Sequence, residues 1–121
     1  MKKWLGWFAN STEKGCYYEL QAEQFLIRQG LTPVTRNFRC RFGEIDLIMK
    51  LGETIVFVEV KYRAEKHFGG AIHSLTPQKM QRIRRTIAFY CQSNHLSQRA
   101  LRIDFVAIDG EQEFHWIKNI Y

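Results

Sequence analysis

The chain has 121 residues, 45% hydrophobic and 25% charged. That is a single-domain length with enough apolar material for one core, which excludes both a disordered chain and a multidomain enzyme. Eighteen Lys and Arg against twelve Asp and Glu give +6, a balance that favours a polyanionic partner. Cys16, Cys40 and Cys91 form an odd, widely spaced set without a CxxC pair. This argues against a disulfide framework or a zinc knuckle and points to a reducing, cytoplasmic setting.

The opening segment, residues 1–11, carries Lys2, Lys3 and an apolar run through Trp4, Leu5, Trp7 and Phe8. The run is too short for a membrane span and lacks a cleavage site; it is expected to fray or dock on a domain formed by residues 12–121. From Ser11 to Gln29 the pattern is helical, with Tyr18, Ala22, Phe25 and Leu26 on one face and Gly30 as the stop. Strand patterns follow at 34–39, 44–50 and 54–61, the last two joined by Leu51-Gly52-Glu53 as a hairpin turn. Residues 62–76 read as a long loop. Pro77 opens a second helix to Gln92 with Met80, Ile83, Ile87, Ala88 and Cys91 as its buried stripe. Leu101–Ile108 and Phe114–Ile117 read as strands around an Asp109-Gly110 turn. The order α-β-β-β-α-β-β predicts an α/β fold, a mixed sheet with helices packed on it.

The chemistry lies in Gly43-Glu44-Ile45-Asp46-Leu47-Ile48 and Val56-Phe57-Val58-Glu59-Val60-Lys61. Side chains alternate along a strand, so Glu44 and Asp46 share a face, as do Glu59 and Lys61; Ile45, Leu47, Val58 and Val60 are expected on the opposite, core-facing side. A two-residue type II′ turn at Gly52-Glu53 pairs Leu51 with Thr54 and sets Asp46 opposite Glu59 and Glu44 opposite Lys61. Facing carboxylates cost about 0.2–1 kcal/mol. A hard divalent cation, Mg²⁺ or Mn²⁺, removes the conflict, with Asp46 and Glu59 as metal ligands. Lys61 could then act on an attacking water or on phosphate charge. The competing reading is a solvated salt-bridge ladder in which Lys61 pairs with Glu44.

Asp46 followed by Glu59-Val60-Lys61 resembles the signature of the PD-(D/E)xK nuclease superfamily, whose fold is the restriction-endonuclease-like mixed β-sheet flanked by α-helices. More closely, Gly15, Glu19, Ala22, Asn37-Phe38-Arg39, the Gly43–Ile48 and Phe57–Lys61 runs, Arg63, Phe68-Gly69, Lys79 and Arg102-Ile103-Asp104 resemble the YraN family of small bacterial proteins, over about residues 12 to 109. The resemblance implies a nuclease-type or nucleic-acid-binding domain, similar to Holliday-junction resolvases and the tRNA-endonuclease-like fold. It also implies a catalytic role for Asp46, Glu59 and Lys61, with Glu19 completing the metal site and Glu44 in support. One departure is Tyr18, which stands where the family has Gly before the helix glutamate.

Between Glu65 and Asp104 no acidic residue occurs, while Lys66, Lys79, Arg82, Arg84, Arg85, Arg99 and Arg102 do. Lys79, Arg82 and Arg85 recur every three residues and are expected to track phosphates from one helix side. Arg36 and Arg39, from a second acid-free stretch, and Arg63 join them as nucleic-acid-binding candidates. No base-reading element is evident, so recognition of shape or backbone is expected. His67, His73, His95 and His115 lack metal-ligand spacing, with His67 or His73 left as candidates for substrate contact. Asp104 reads as an ion-pair partner of Arg102. The functional expectation is a Mg²⁺-dependent endonuclease-type phosphodiesterase acting on structured or branched DNA. The alternatives are a non-catalytic nucleic-acid-binding module and an adaptor docking an acidic protein; a homodimer is left open.

Overall fold

The structure, a computed structural model, describes residues 11–64, 69–96 and 99–120. Its elements are α1 (Ser11–Arg28), β1 (Thr32–Cys40), β2 (Gly43–Leu51), β3 (Thr54–Tyr62), α2 (Gly69–Ile72), α3 (Pro77–Ser93), β4 (Leu101–Ile108) and β5 (Phe114–Ile117). The expected α/β fold, a mixed sheet flanked by two long helices, is the one observed. The stretch read as a long loop contains the one-turn helix α2, a difference arising because four residues show no period.

The five strands lie in the order β1-β2-β3-β4-β5. All neighbours are antiparallel except β3 and β4, which run parallel. A parallel pair cannot be joined by a tight turn, and the crossover is made through α2 and α3. Thr76 caps α3 by accepting from Lys79 N at 3.2 Å, and Pro77 occupies the first turn, where its missing N–H costs nothing.

Both faces of the sheet are covered. On one, Tyr18, Ala22 and Leu26 of α1, each four residues from the next, pack on Leu47, Met49, Val56, Val58, Val106 and Ile108. On the other, Ile83, Ile87, Tyr90 and Cys91 of α3 pack on Ile45, Ile48, Phe57 and Ile103. Two-sided burial explains the unbroken apolar run Ile55-Val56-Phe57-Val58, every residue of which is buried. Within the α3 stripe, Ala88 is exposed and Tyr90 buried. The position after Ile87 turns about 100° away from the sheet, whereas three positions on returns to it.

This covering corrects the expected segregation of faces. Ile45 and Leu47 are two residues apart in one strand, yet Leu47 packs beneath α1 and Ile45 beneath α3. Alternation therefore breaks at Asp46. Across from it on β1, Asn37 takes φ +52 between the register pairs Arg36↔Leu47 and Phe38↔Ile45. A non-glycine residue in the left-handed region costs about 1 kcal/mol, least for Asn and Asp, and twists the strand locally. Gly43, with φ +149, starts β2 where a Cβ would meet Thr86 Oγ1 at 3.1 Å. Its missing side chain lets α3 approach the strand that carries Asp46.

Candidate active site

The hairpin has the expected register, from Leu51↔Thr54 to Leu47↔Val58. Gly52 takes φ +59 at the first turn position, as a II′ turn requires. The ladder stops one step before Asp46 and Glu59 would pair. Their side chains take over the backbone bonds: Val60 N donates to Asp46 Oδ2 at 2.9 Å, and Asp46 N lies 3.5 Å from Glu59 Oε2. The strands therefore part with two carboxylates between them, instead of presenting a cross-strand pair to solvent.

The parted strands floor a cleft of about 710 Å³. Glu19, Glu44, Asp46, Glu59 and Lys61 all line it, as do Lys14 and Gly15 from the first turns of α1 and Lys79 and Arg82 from α3. Tyr18 lines it too. Its ring stacks on Tyr62 with centroids 4.1 Å apart, and burial pushes its hydroxyl up to about 12.

Burial dominates the electrostatics. It pushes Glu59 up from 4.5 to about 8, with the neighbouring Asp46 charge adding to the effect and Lys79 opposing it. Glu19 rises to about 8 through burial and then Asp46, and its Oε1 is buried without a hydrogen-bond partner. Asp46 is also raised by burial, opposed by the amide of Val60. The Lys61 ammonium is lowered, first by burial and then by the charges of Arg63 and Lys79.

Folded-state values above those of the unfolded chain mean that the folded protein binds more protons between pH 4.5 and about 8. Stability then falls as pH rises through that window. In metal-free buffer, the thermal midpoint should decline from about pH 5 to about pH 8.5. Added Mg²⁺ should flatten the decline, as should Glu59→Gln; a midpoint that climbs over this range would contradict the assignment.

Two carboxylates that share a buried floor and are reluctant to ionise together match the needs of a small hard cation, which takes one or two protein oxygens and keeps several waters. Asp46 and Glu59 are the residues that would hold it. The orphaned oxygen of Glu19 is a third acceptor in the same cleft.

The cationic candidates divide. Lys79 and Arg82 line the cleft, and Lys79 Nζ lies 3.9 Å from Glu59 Oε1. Arg85 is exposed outside the cleft lining, so the expected three-residue stripe contributes two members. Arg36 is committed elsewhere, donating from Nε to the buried Glu23 at 3.0 Å. Arg39 pairs with Glu44 at 2.9 Å, which displaces the alternative ladder in which Lys61 would take Glu44. Arg63 N donates to Ile108 O at 3.0 Å, and its side chain lies outside the cleft lining. His73 is exposed, while His67 and the opening segment lie outside the described residues.

Two participants were missed by the sequence reasoning. Lys14 precedes Tyr18 by one helical turn and its ammonium sits 5.0 Å over the Tyr62 ring; helical spacing from Glu19 and Gly15 was the available signal. Asn37 neighbours Glu19 from β1 and favours its charged form; nothing in local pattern marks a left-handed residue within a strand. His115 takes a packing role in the β4–β5 turn, as expected of it. Among the described residues, Asp109, Glu113 and His115 are the group of three ligand-type side chains within 4.8 Å of one another. Asp109 there accepts from Glu111 N, Glu113 N and His115 Nε2 at 2.8, 3.1 and 3.0 Å, which closes the β4–β5 turn. A hairpin turn brings together residues whose linear spacing resembles no metal motif.

Comparison with known proteins finds that the model of the uncharacterised protein family UPF0102 matches residues 18–108. A UPF0102 protein of Pseudoalteromonas translucida is 50% identical over 97% of this chain and all of its own length. One from Aeromonas hydrophila is 43% identical over 99% of this chain and 93% of its own, and one from Neisseria gonorrhoeae 45% identical over 89% and 94%.

Proposed function

We propose that this chain, which belongs to the UPF0102 family, is a divalent-metal-dependent phosphodiesterase acting on nucleic acid, with structured or branched DNA as its substrate class. The observation that carries the reading is the insertion of Asp46 and Glu59 between the parted ends of β2 and β3, on the floor of a cleft walled by Lys14, Lys61, Lys79 and Arg82. Acids on the floor and cations on the rim suit a phosphodiester whose backbone is held by the rim. A divalent cation bound by Asp46 and Glu59 would supply Lewis-acid stabilisation of charge on the phosphoryl oxygens. Lys61, on the same strand two residues beyond Glu59, also lines the cleft. Its lowered proton affinity suits it to take a proton from the attacking water or to hold charge at a phosphoryl oxygen. Glu19, beside Asp46, is the helper carboxylate.

One observation favours a second reading. Lys79 already stands near Glu59 and offsets its charge, as it would in a non-catalytic phosphate-binding module. The two are separated by incubating branched, duplex and single-stranded DNA, and RNA, with and without Mg²⁺. Cleavage that requires Mg²⁺ supports the enzyme; binding without cleavage under every condition supports the module.

Both readings expect electrostatic, weakly sequence-specific binding, because among the described residues the rim cations have no base-reading element beside them. Each phosphate neutralised on duplex DNA contributes about −0.9 to the slope of log K against log[salt], so replacing Lys79 and Arg82 by Ala should flatten the slope by about two units. Arg85→Ala should change it little. An unchanged slope in the double variant would place the nucleic acid elsewhere.

A further inference from the structure

A buried carboxylate needs a counter-charge, and Glu59, with a side chain 8% exposed, has Lys79 as an ion-pair partner. The Nζ to Oε1 separation of 3.9 Å is an ion-pair distance, longer than a hydrogen bond. Charge attraction without a hydrogen bond therefore links the two groups. The Lys79 side chain is 35% exposed, so water can solvate it if it leaves, whereas Glu59 is fixed within the sheet. The Lys79 backbone is anchored in the first turn of α3 by the bond from its N–H to Thr76 Oγ1, so departure needs only rotation about side-chain bonds. Lys61 lines the same cleft and, among the described residues, forms no ion pair with either floor carboxylate.

We propose that Lys79 is an exchangeable counter-cation: its ammonium neutralises Glu59 in the metal-free protein, gives way when a divalent cation takes that carboxylate, and moves to a phosphate of the bound nucleic acid. The inference rests on the metal-dependent reading above and adds an order to it. An ammonium and a divalent cation on one carboxylate repel each other, so the free energy of the Lys79–Glu59 pair is subtracted from metal affinity. A phosphate that draws Lys79 away returns it. By reciprocity, metal and nucleic acid strengthen each other's binding through one side chain.

The test is Mn²⁺ binding to the full chain without nucleic acid, at about pH 8.5 where Glu59 is ionised, read by isothermal titration calorimetry or by the paramagnetic resonance of free Mn²⁺. Lys79→Met should bind Mn²⁺ about ten-fold more tightly than wild type, while Arg82→Met, which removes the same charge from the same cleft, should gain less than about three-fold. Lys79→Arg, which keeps a cation at the position, should stay within about three-fold of wild type. Nucleic-acid affinity should fall in Lys79→Met although its metal affinity rises. Unchanged or weaker Mn²⁺ binding by Lys79→Met, or equal tightening by Arg82→Met, overturns the exchange and leaves the metal site standing. Mn²⁺ binding that Asp46→Asn does not alter overturns the metal reading itself, and the exchange with it.

Discussion

Asp46→Asn should abolish cleavage, lowering the single-turnover rate by about 10³-fold or more, while nucleic-acid binding is unchanged or stronger. The substitution removes one anionic ligand from the cleft floor. It keeps an oxygen that can accept from Val60 N, now 2.9 Å from Asp46 Oδ2, so the parted strands retain their bridge. Removing a negative charge beside the phosphate path favours binding at the moment that it disables chemistry. The measurements are cleavage with Mg²⁺ and fluorescence anisotropy with chelator present. Cleavage by Asp46→Asn equal to wild type would point to another site or to a contaminating nuclease.

The largest stability effect is expected at Asp104, far from the cleft floor in role though on the same sheet. Asp104 is fully buried and accepts four hydrogen bonds: Arg102 Nε and Nη2 at 2.9 and 2.8 Å, Trp116 Nε1 at 2.8 Å and Asn119 N at 3.0 Å. These join β4 to β5 and to the chain beyond it. Asp104→Ala strands a guanidinium, an indole N–H and a backbone N–H together, and removing one partner of a buried pair costs about 3–5 kcal/mol. That is about a fifth or more of the stability of a domain holding about 5–15 kcal/mol. Urea denaturation should show the midpoint falling with little change in slope. A loss below about 1 kcal/mol would mean that water replaces the carboxylate without difficulty.

The pairing of β2 with β3 could be read without the structure because its causes are local. Gly52 permits a two-residue turn, and a turn of known length sets every pair behind it, down to Leu47↔Val58. Pro77 and the spacing of Ile83 and Ile87 likewise determine α3, and the Arg102–Asp104 pair follows from two side chains on one face of a strand. The sequence by itself therefore determined the fold class, the adjacency of Asp46 and Glu59, and a surplus of cations from Lys66 to Arg102.

Only the tertiary structure decided what those groups do to one another. Whether Ile45 faces α1 or α3 depends on a break in alternation at Asp46, and alternation is the rule any local reading must assume. Which cations remain for a ligand depended on partners distant in the chain: Glu23 takes Arg36, while Lys79 reaches Glu59 from another element. Arg39 and Glu44 meet only because the β1–β2 turn sets them opposite each other. Lys14 lines the cleft from α1, and Asn37 reaches Glu19 from β1, both outside the strands that carry the floor carboxylates. Charge and periodicity are carried by neighbouring residues, whereas desolvation and ion pairing belong to whichever surfaces the folded chain presses together.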